Sequence, residues 1–307
     1  MHVVMIFLDG VGMGEPDPSV NPLFSARLPV MRRLMGGMPS LHDRNLESSG
    51  GVVLPLDATL GVPGLPQSGT GQASLLAGIN GPRRAGHHFG PHPPSSLHAA
   101  IERKNIFRRV METGKSACFA NAFPQGFFDY AAVHPRRLSM TTLSCRMSGL
   151  ALMREQDLRD GRGVSADLTG EGWKKMGSPA IPVVSPQESG RRLAGLAARH
   201  HFTLFEYWKT DFAGHSRNMA ESAAVLECLD AMLEGLMDGE GAAHRLLVLS
   251  SDHGNIEDLS VKTHTRNPVP LLLHGRHHRA AAARVLAHSR PGLHHVAPVI
   301  VEMLAGG

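Results

Sequence analysis

Asp252 and His253 stand side by side after the apolar run Leu246 to Leu249, and Asp211 and His215 stand four residues apart after the run Phe202 to Trp208. A carboxylate and an imidazole placed this way can both point at one hard-to-borderline divalent cation. If the segment after Phe202 to Trp208 turns helically, residues four apart project from one face. Asp9 follows a third apolar run, Val3 to Leu8, and His264 precedes a fourth, Val269 to Leu273. Taken singly, each is ordinary turn chemistry, because Asp and Gly are common turn residues. Their recurrence at four strand ends is what points to a shared site. Three Asp and three His offer mixed nitrogen and oxygen ligation, which suits Zn²⁺ or Mn²⁺ better than Ca²⁺ or Mg²⁺ alone. They suffice for two ions, each with an open position. Two such ions ~3.5–4 Å apart hold the attacking and leaving oxygens of an in-line phosphoryl displacement.

A nucleophile is available in the stretch Pro66 to Gly78, a Gly- and hydroxyl-rich loop running into a small-residue helix with Gly78 as its C-cap. A helix start offers unpaired N–H groups and partial positive charge to a phosphate. Gln72 stands where a Walker loop needs Lys, which excludes that motif. Ser68 is the candidate nucleophile, with Thr70 as second choice. The bland alternative is that Ser68 only caps the helix.

These residues need a scaffold that brings distant strand ends together. Short, wholly apolar runs are the pattern of strands buried on both faces of a parallel sheet, and open α/β sheets bind ligands outside the carboxyl ends of their strands. Gly50 to Leu56 and Ser116 to Ala122 read as further strands. Helices are expected over Leu28 to Met35, Ser96 to Thr113, Asn218 to Met237 and Pro298 to Leu304. One more starts at the capping-box pattern Ser185-Pro186-Gln187-Glu188 and runs to about His200. Gly81 to Pro94, rich in Gly, Pro and His, reads as a loop. Asp9-Gly10-Val11-Gly12-Met13-Gly14 fails the dinucleotide spacing, and Pro16 and Pro18 disfavour the helix that should follow. Residues 124–186, with a helix expected over Arg137 to Arg154, read as a short lid or insertion over the carboxyl edge of a single domain spanning 1–307.

Composition narrows the class. The 307 residues are 42% hydrophobic and 19% charged, enough for a large α/β core. No run approaches the ~18 apolar residues of a membrane span. The N-terminus reads as a first strand, not a signal peptide. Cys118, Cys145 and Cys228 are odd in number and scattered, so reduced, cytoplasmic thiols are expected. A formal charge of +4 is mild for this length, the basic residues are dispersed and aromatics are only 5%, which argues against a nucleic-acid partner. Arg83, Arg84 and His87 could grip a substrate, but nothing in the pattern assigns them. Nothing sets the oligomeric state.

The set Asp9, Ser68, Asp211…His215, Asp252-His253 and His264, in that chain order, resembles the alkaline phosphatase superfamily. Asp252-His253-Gly254-Asn255-Ile256-Glu257 and His264-Thr265-Arg266-Asn267-Pro268-Val269-Pro270 are similar to motifs of cofactor-independent phosphoglycerate mutase, and Leu8 to Glu15 is similar to the start of phosphopentomutase. The likeness covers roughly residues 1–122 and 185–305. Gln67 to Gly71 resembles the mutase nucleophile loop in the register that puts Ser68 at the nucleophile, while Gln72 departs from the His often found there. The resemblance implies a three-layer α/β/α sandwich with a mostly parallel central sheet. It also implies two divalent ions (Mn²⁺ or Zn²⁺, with Mg²⁺ possible), one held by Asp9, Ser68, Asp252 and His253, the other by Asp211, His215 and His264. The implied partner is a small phosphorylated substrate.

The mutases carry a large cap that keeps a phosphorylated intermediate from water, and residues 124–186 look too short and polar for one. Water exclusion separates transfer to a sugar from transfer to water. The expected activity is therefore metal-dependent phosphate-ester hydrolysis through a phosphoserine. A compact phosphomutase and a non-catalytic metal-binding scaffold are the alternatives. A sulfatase is disfavoured, because Thr70 and Gln72 occupy the positions where its Cys/Ser-x-Pro-x-Arg pattern needs Pro and Arg.

Overall fold

The computed structural model describes residues 1–306. Strands form at β1 (His2–Leu8), β2 (Leu46–Glu47), β3 (Gly51–Leu56), β4 (Ala117–Phe119), β5 (Ala122–Phe123), β6 (Met153–Arg154), β7 (Phe202–Tyr207), β8 (Arg245–Ser251) and β9 (Val269–Gly275). Seven of them make one sheet in the order β2-β3-β9-β8-β1-β7-β4, and β5 and β6 form a separate pair. Neighbours β8, β1, β7 and β4 run parallel, while β9 is antiparallel to both β8 and β3.

Both faces of the sheet are covered, which is why its central strands read as unbroken apolar runs. Side chains alternate across a strand. Val3, Met5 and Phe7 of β1 enter one core with the helices Ser68–Ala77, Ile106–Glu112, Met140–Ser148 and Val296–Ala305. Val4, Ile6 and Leu8 enter the other, with Pro29–Met35, Pro186–Arg199 and Met219–Asp238. The result is helix layers on both sides of a mostly parallel sheet.

The register brings the candidate residues to one edge. Leu8 pairs with Tyr207 on one side and Ser251 on the other, so the chain leaves β1, β7 and β8 at the same level. Asp9, the Lys209–Ser216 helix and Asp252 follow directly. Because β9 is antiparallel, its beginning lies at that edge too, which places the preceding His264 there.

The elements differ from expectation where side chains intervene. Ser96 to Thr113 is two helices, Ser95–Lys104 and Ile106–Glu112, because buried Asn105 takes an extended backbone and caps the second helix, accepting the Arg108 N–H at 3.1 Å. Gly81–Ala85 is a short helix capped by Asn80 instead of loop. The expected strand Ser116 to Ala122 is interrupted after Phe119. There the Asn121 side chain bonds both the N–H and the carbonyl of Glu206, each at 2.8 Å, in place of the backbone ladder. The last helix begins at Val296, before Pro298. In residues 124–186, the helix Met140–Ser148 is shorter than expected and packs into the main core. Much of the remainder gathers on a small cluster of Ala122, Leu158, Trp173 and Ile181. No helix among the described residues is long and apolar enough to cross a membrane.

Candidate active site

Ser68 is the first residue of its helix. The N-cap is Gln67, which makes no side-chain cap bond, so the Ser68 hydroxyl is not spent on capping. Its Oγ lies 2.9 Å from His253 Nε2. Thr70 is turned elsewhere: its buried hydroxyl accepts the Phe89 N–H at 3.1 Å and stitches the helix start to the neighbouring loop. The helix seats tightly on β8. A Cβ on Gly71 would lie 2.8 Å from the Asp252 carbonyl oxygen.

Around Ser68 the other six residues converge. His253 Nε2 is 3.3 Å from Asp9 Oδ1 and 3.5 Å from Asp252 Oδ2. His215 and Asp211 share a face of the Lys209–Ser216 helix, with His215 Nε2 3.3 Å from Asp211 Oδ2. His264 Nε2 is 3.3 Å from His215 Nε2 and 3.7 Å from Asp211 Oδ1. The His253 and His264 rings stack with centroids 3.8 Å apart. Two overlapping groups, Asp9-Asp252-His253 and Asp211-His253-His264, each have ligand atoms within 4.8 Å of one another.

The donor set fits cations. Asp9 Oδ1 and Asp252 Oδ2 are buried and have no hydrogen-bond partner. Burial raises the Asp9 carboxyl, and burial together with the Asp9 charge raises Asp252 well above the carboxylate range. For His253, burial works downward, but the Asp252 and Asp9 carboxylates outweigh it and hold the imidazole up, to about 10. His264 is pushed down to about 4 by burial and then by His253. Buried charge of this density is tolerated where it is paired or coordinates metal, and mixed imidazole and carboxylate donors suit Zn²⁺ or Mn²⁺. The ring orientations are held from behind, as ligands require. His264 Nδ1 is 2.8 Å from the Pro66 carbonyl oxygen, and Asp211 Oδ1 accepts the Asn255 amide at 2.7 Å.

Several supporting residues escaped the reading of the sequence. The Gln72 amide donates to Asp9 Oδ2 at 3.3 Å. Glu257 is buried and accepts from Gly12 N–H at 2.9 Å, Asn255 N–H at 2.7 Å, Thr265 hydroxyl at 2.5 Å and Asn267 amide at 3.0 Å, tying three loops together. Glu206, one strand over from Asp9, is pushed up to about 7 by burial and bonds the Thr141 hydroxyl at 2.5 Å. Glu257 was visible as the last residue of the Asp252 motif, but Glu206 sits inside an apolar run with no local signal.

A cavity of about 360 Å³ opens on this cluster, lined by Ser68, Asp211, His215 and His264 with Gln67 and Pro91. None of its lining residues comes from 124–186. Arg83 lines a different cavity, and Arg84 and His87 are exposed away from the lining.

Comparison with known proteins agrees with this arrangement at the level of family and fold. The family model described as Metalloenzyme superfamily matches residues 1–305. The 2,3-bisphosphoglycerate-independent phosphoglycerate mutase of Thermomicrobium roseum is 30% identical over 145 residues, 41% of this chain and 27% of that protein. The phosphopentomutase of Hahella chejuensis is 29% identical over 130 residues, 41% of this chain and 30% of that protein. The matched part is thus under a third of each mutase. Among solved structures, the PH0037 protein of Pyrococcus horikoshii superposes with a TM-score of 0.55 at 14% identity, covering 89% of this chain and 85% of that one. Alkaline phosphatase of the Antarctic bacterium TAB5 superposes at 0.53 and 11% identity, covering 99% and 98%. These likenesses establish an alkaline phosphatase-like three-layer fold.

Proposed function

The chain belongs to the Metalloenzyme superfamily, and from that premise we propose that it is a binuclear metal-dependent phosphohydrolase acting on a small phosphate ester through a phosphoserine at Ser68. The observation that carries the reading is the Ser68 hydroxyl, at a helix start, 2.9 Å from His253 and facing a cavity shared with Asp211, His215 and His264. Asp9, Ser68, Asp252 and His253 would hold one divalent ion, and Asp211, His215 and His264 the other, Mn²⁺ or Zn²⁺ by donor type. When bound, such ions acidify a hydroxyl and take up charge on the leaving oxygen.

The chain's own residues do the rest. Ser68 Oγ loses its proton to solvent and forms the bond to phosphorus as the ester oxygen departs and is protonated by solvent. The start of the Ser68–Ala77 helix directs its positive end at the phosphoryl oxygens. Gln72 and Thr210 steady Asp9, the first by its side-chain amide and the second by a hydroxyl on the Asp9 carbonyl at 2.5 Å. Water then cleaves the Ser68–phosphorus bond and releases phosphate. The cavity's lining supports hydrolysis over retention of the phosphoryl group, because no segment of 124–186 contributes to it.

The test is turnover of p-nitrophenyl phosphate with added Mn²⁺ or Zn²⁺. Ser68→Ala is expected to abolish it, and full activity in that variant would remove the nucleophile. Likeness to two mutases favours a second reading, a compact phosphomutase. Labelled phosphate retained on the substrate would select the mutase, and label released to solvent the hydrolase. Metal bound without turnover of any phosphoester would leave only a scaffold role.

A further inference from the structure

A second cavity, of about 300 Å³, opens beyond the far end of the Ser68–Ala77 helix. That helix has ten residues, so about 15 Å of helix separates the cavity from Ser68. Its walls are the end of β3 at Asp57, the Gly81–Ala85 helix and the segment 288–295, which a parallel bridge between Asp57 and Gly292 ties to the sheet.

Nitrogen donors dominate this cavity: Arg83, Arg290, His288, His294 and His295 all line it. Asp57 is the one carboxylate in the lining, and its Oδ1 is already engaged by the Thr59 N–H at 2.8 Å and hydroxyl at 2.7 Å. The His288 and His295 rings stack with centroids 3.7 Å apart and planes within 7°. His294 lies 3.9 Å from His295. His295 Nδ1 accepts the Gly292 N–H at 3.1 Å, which puts its ring proton on Nε2 as a donor. His294 Nδ1 is buried without a partner.

Burial, followed by the neighbouring imidazoles, pushes His295 down to about 4. Burial and then His288 push His294 down as well, with Arg83 adding to the effect and Asp57 opposing it. The surroundings resist positive charge on these two rings until a counter-charge enters. Stacked rings turn their nitrogens along the stack's edges instead of toward one point, and two guanidinium groups stand beside them, so a metal cation is poorly served. A multivalent anion is well served. Arg83 and Arg290 give it permanent charge-assisted donors, His295 Nε2 gives a neutral one, and His294, whose Nδ1 has no partner, gains a proton as it binds.

We propose that this cavity is a second anion site, suited to the phosphate group of a small molecule and separate from the Ser68 centre. It does not depend on how Ser68 is read.

Calorimetric titration of the metal-loaded protein with inorganic phosphate, and separately with phenylphosphonate, tests it. In an Arg83→Ala, Arg290→Ala double variant, one equivalent of binding is expected to weaken roughly a hundredfold, from the loss of two charge-assisted hydrogen bonds. Any equivalent at the Ser68 centre stays in place. Ser289→Asp, on the exposed rim, brings in a like charge and is expected to remove the same equivalent, so the test survives if the double variant folds poorly. Tighter binding of the phosphonate identifies an organic phosphate as the ligand class, tighter binding of phosphate the free ion, and both uphold the site. Wild-type heats at neutral pH are expected to vary with the ionisation enthalpy of the buffer, and buffer-independent heats would overturn the proton coupling. Identical isotherms for the wild type and the folded variants overturn the site itself.

Discussion

At the residue scale, Glu257 carries more of the site's geometry than its distance from the chemistry suggests. It accepts four hydrogen bonds from three separate loops: Gly12 behind Asp9, Asn255 behind Asp211, and Thr265 and Asn267 behind His264. Removing the carboxylate leaves those donors buried, and each unsatisfied donor costs about 1–3 kcal/mol before relaxation. Glu257→Ala is therefore expected to destabilise by roughly 3 kcal/mol or more, a fall in melting temperature of roughly 5 °C or more for a chain of this size. Activity should fall with it, even well below the melting temperature, because three loops lose their common anchor; calorimetry and kcat/KM read the two effects separately. His264→Ala makes a sharper claim. His264 stands between His215 and His253, so its loss is expected to drop bound metal from the proposed two ions per chain to one by elemental analysis, while the Ser68–His253 contact stays intact. The candidate ligands were legible in the sequence because each follows or precedes an apolar run. Gln72, Glu206 and Glu257 were not legible as supports, since a helix-interior Gln, a strand-interior Glu and a loop Glu all have commoner uses, and only tertiary packing brings their partners.

At the scale of elements, placement of the nucleophile depends on how closely one helix approaches one strand end. Gly71 sits where a methyl group would lie 2.8 Å from the Asp252 carbonyl oxygen and 3.2 Å from Asp252 Cβ. Gly71→Ala must lift the helix start or shift Asp252. Displacements of about 1 Å from reacting geometry can cost about 10²-fold in rate, so kcat is expected to fall by that order while the Ala, a good helix former, leaves the helix itself intact. Circular dichroism and steady-state kinetics check the two halves. Asn105 makes the complementary case. It caps the Ile106–Glu112 helix, donates to the Ile101 carbonyl at 2.9 Å and accepts the Ser148 hydroxyl at 2.7 Å. Asn105→Ala is expected to cost roughly 1–2 kcal/mol of stability, a cap with its buried partners, without touching kcat. Main strands and long helices were legible from periodicity, while the breaks at Asn105 and Asn121 were not. In both, an amide side chain replaces a backbone partner, and that substitution becomes visible only when the other element is in place.

For the whole molecule, the decisive fact is that the proposed ligands come from segments spread from residue 9 to residue 264 and meet only in the folded chain. Two consequences follow from that separation. Ions held at such a site bind the folded state and not the unfolded one, so each stabilises by about 4 kcal/mol at a thousandfold excess over its dissociation constant. Chelation is therefore expected to lower the melting temperature by roughly 10 °C or more if both ions leave, with recovery on adding Mn²⁺ or Zn²⁺. The second consequence concerns which ion anchors the fold. Asp9, Asp252 and His253 are buried and directly follow the central strands β1 and β8, whereas His215 is exposed on a peripheral helix. Asp252→Asn is then expected to abolish most of the metal-dependent rise in melting temperature, and His215→Ala to spare most of it while still reducing turnover. Equal losses in the two variants would mean that the ions stabilise the edge of the sheet as one unit, with neither group of ligands acting alone.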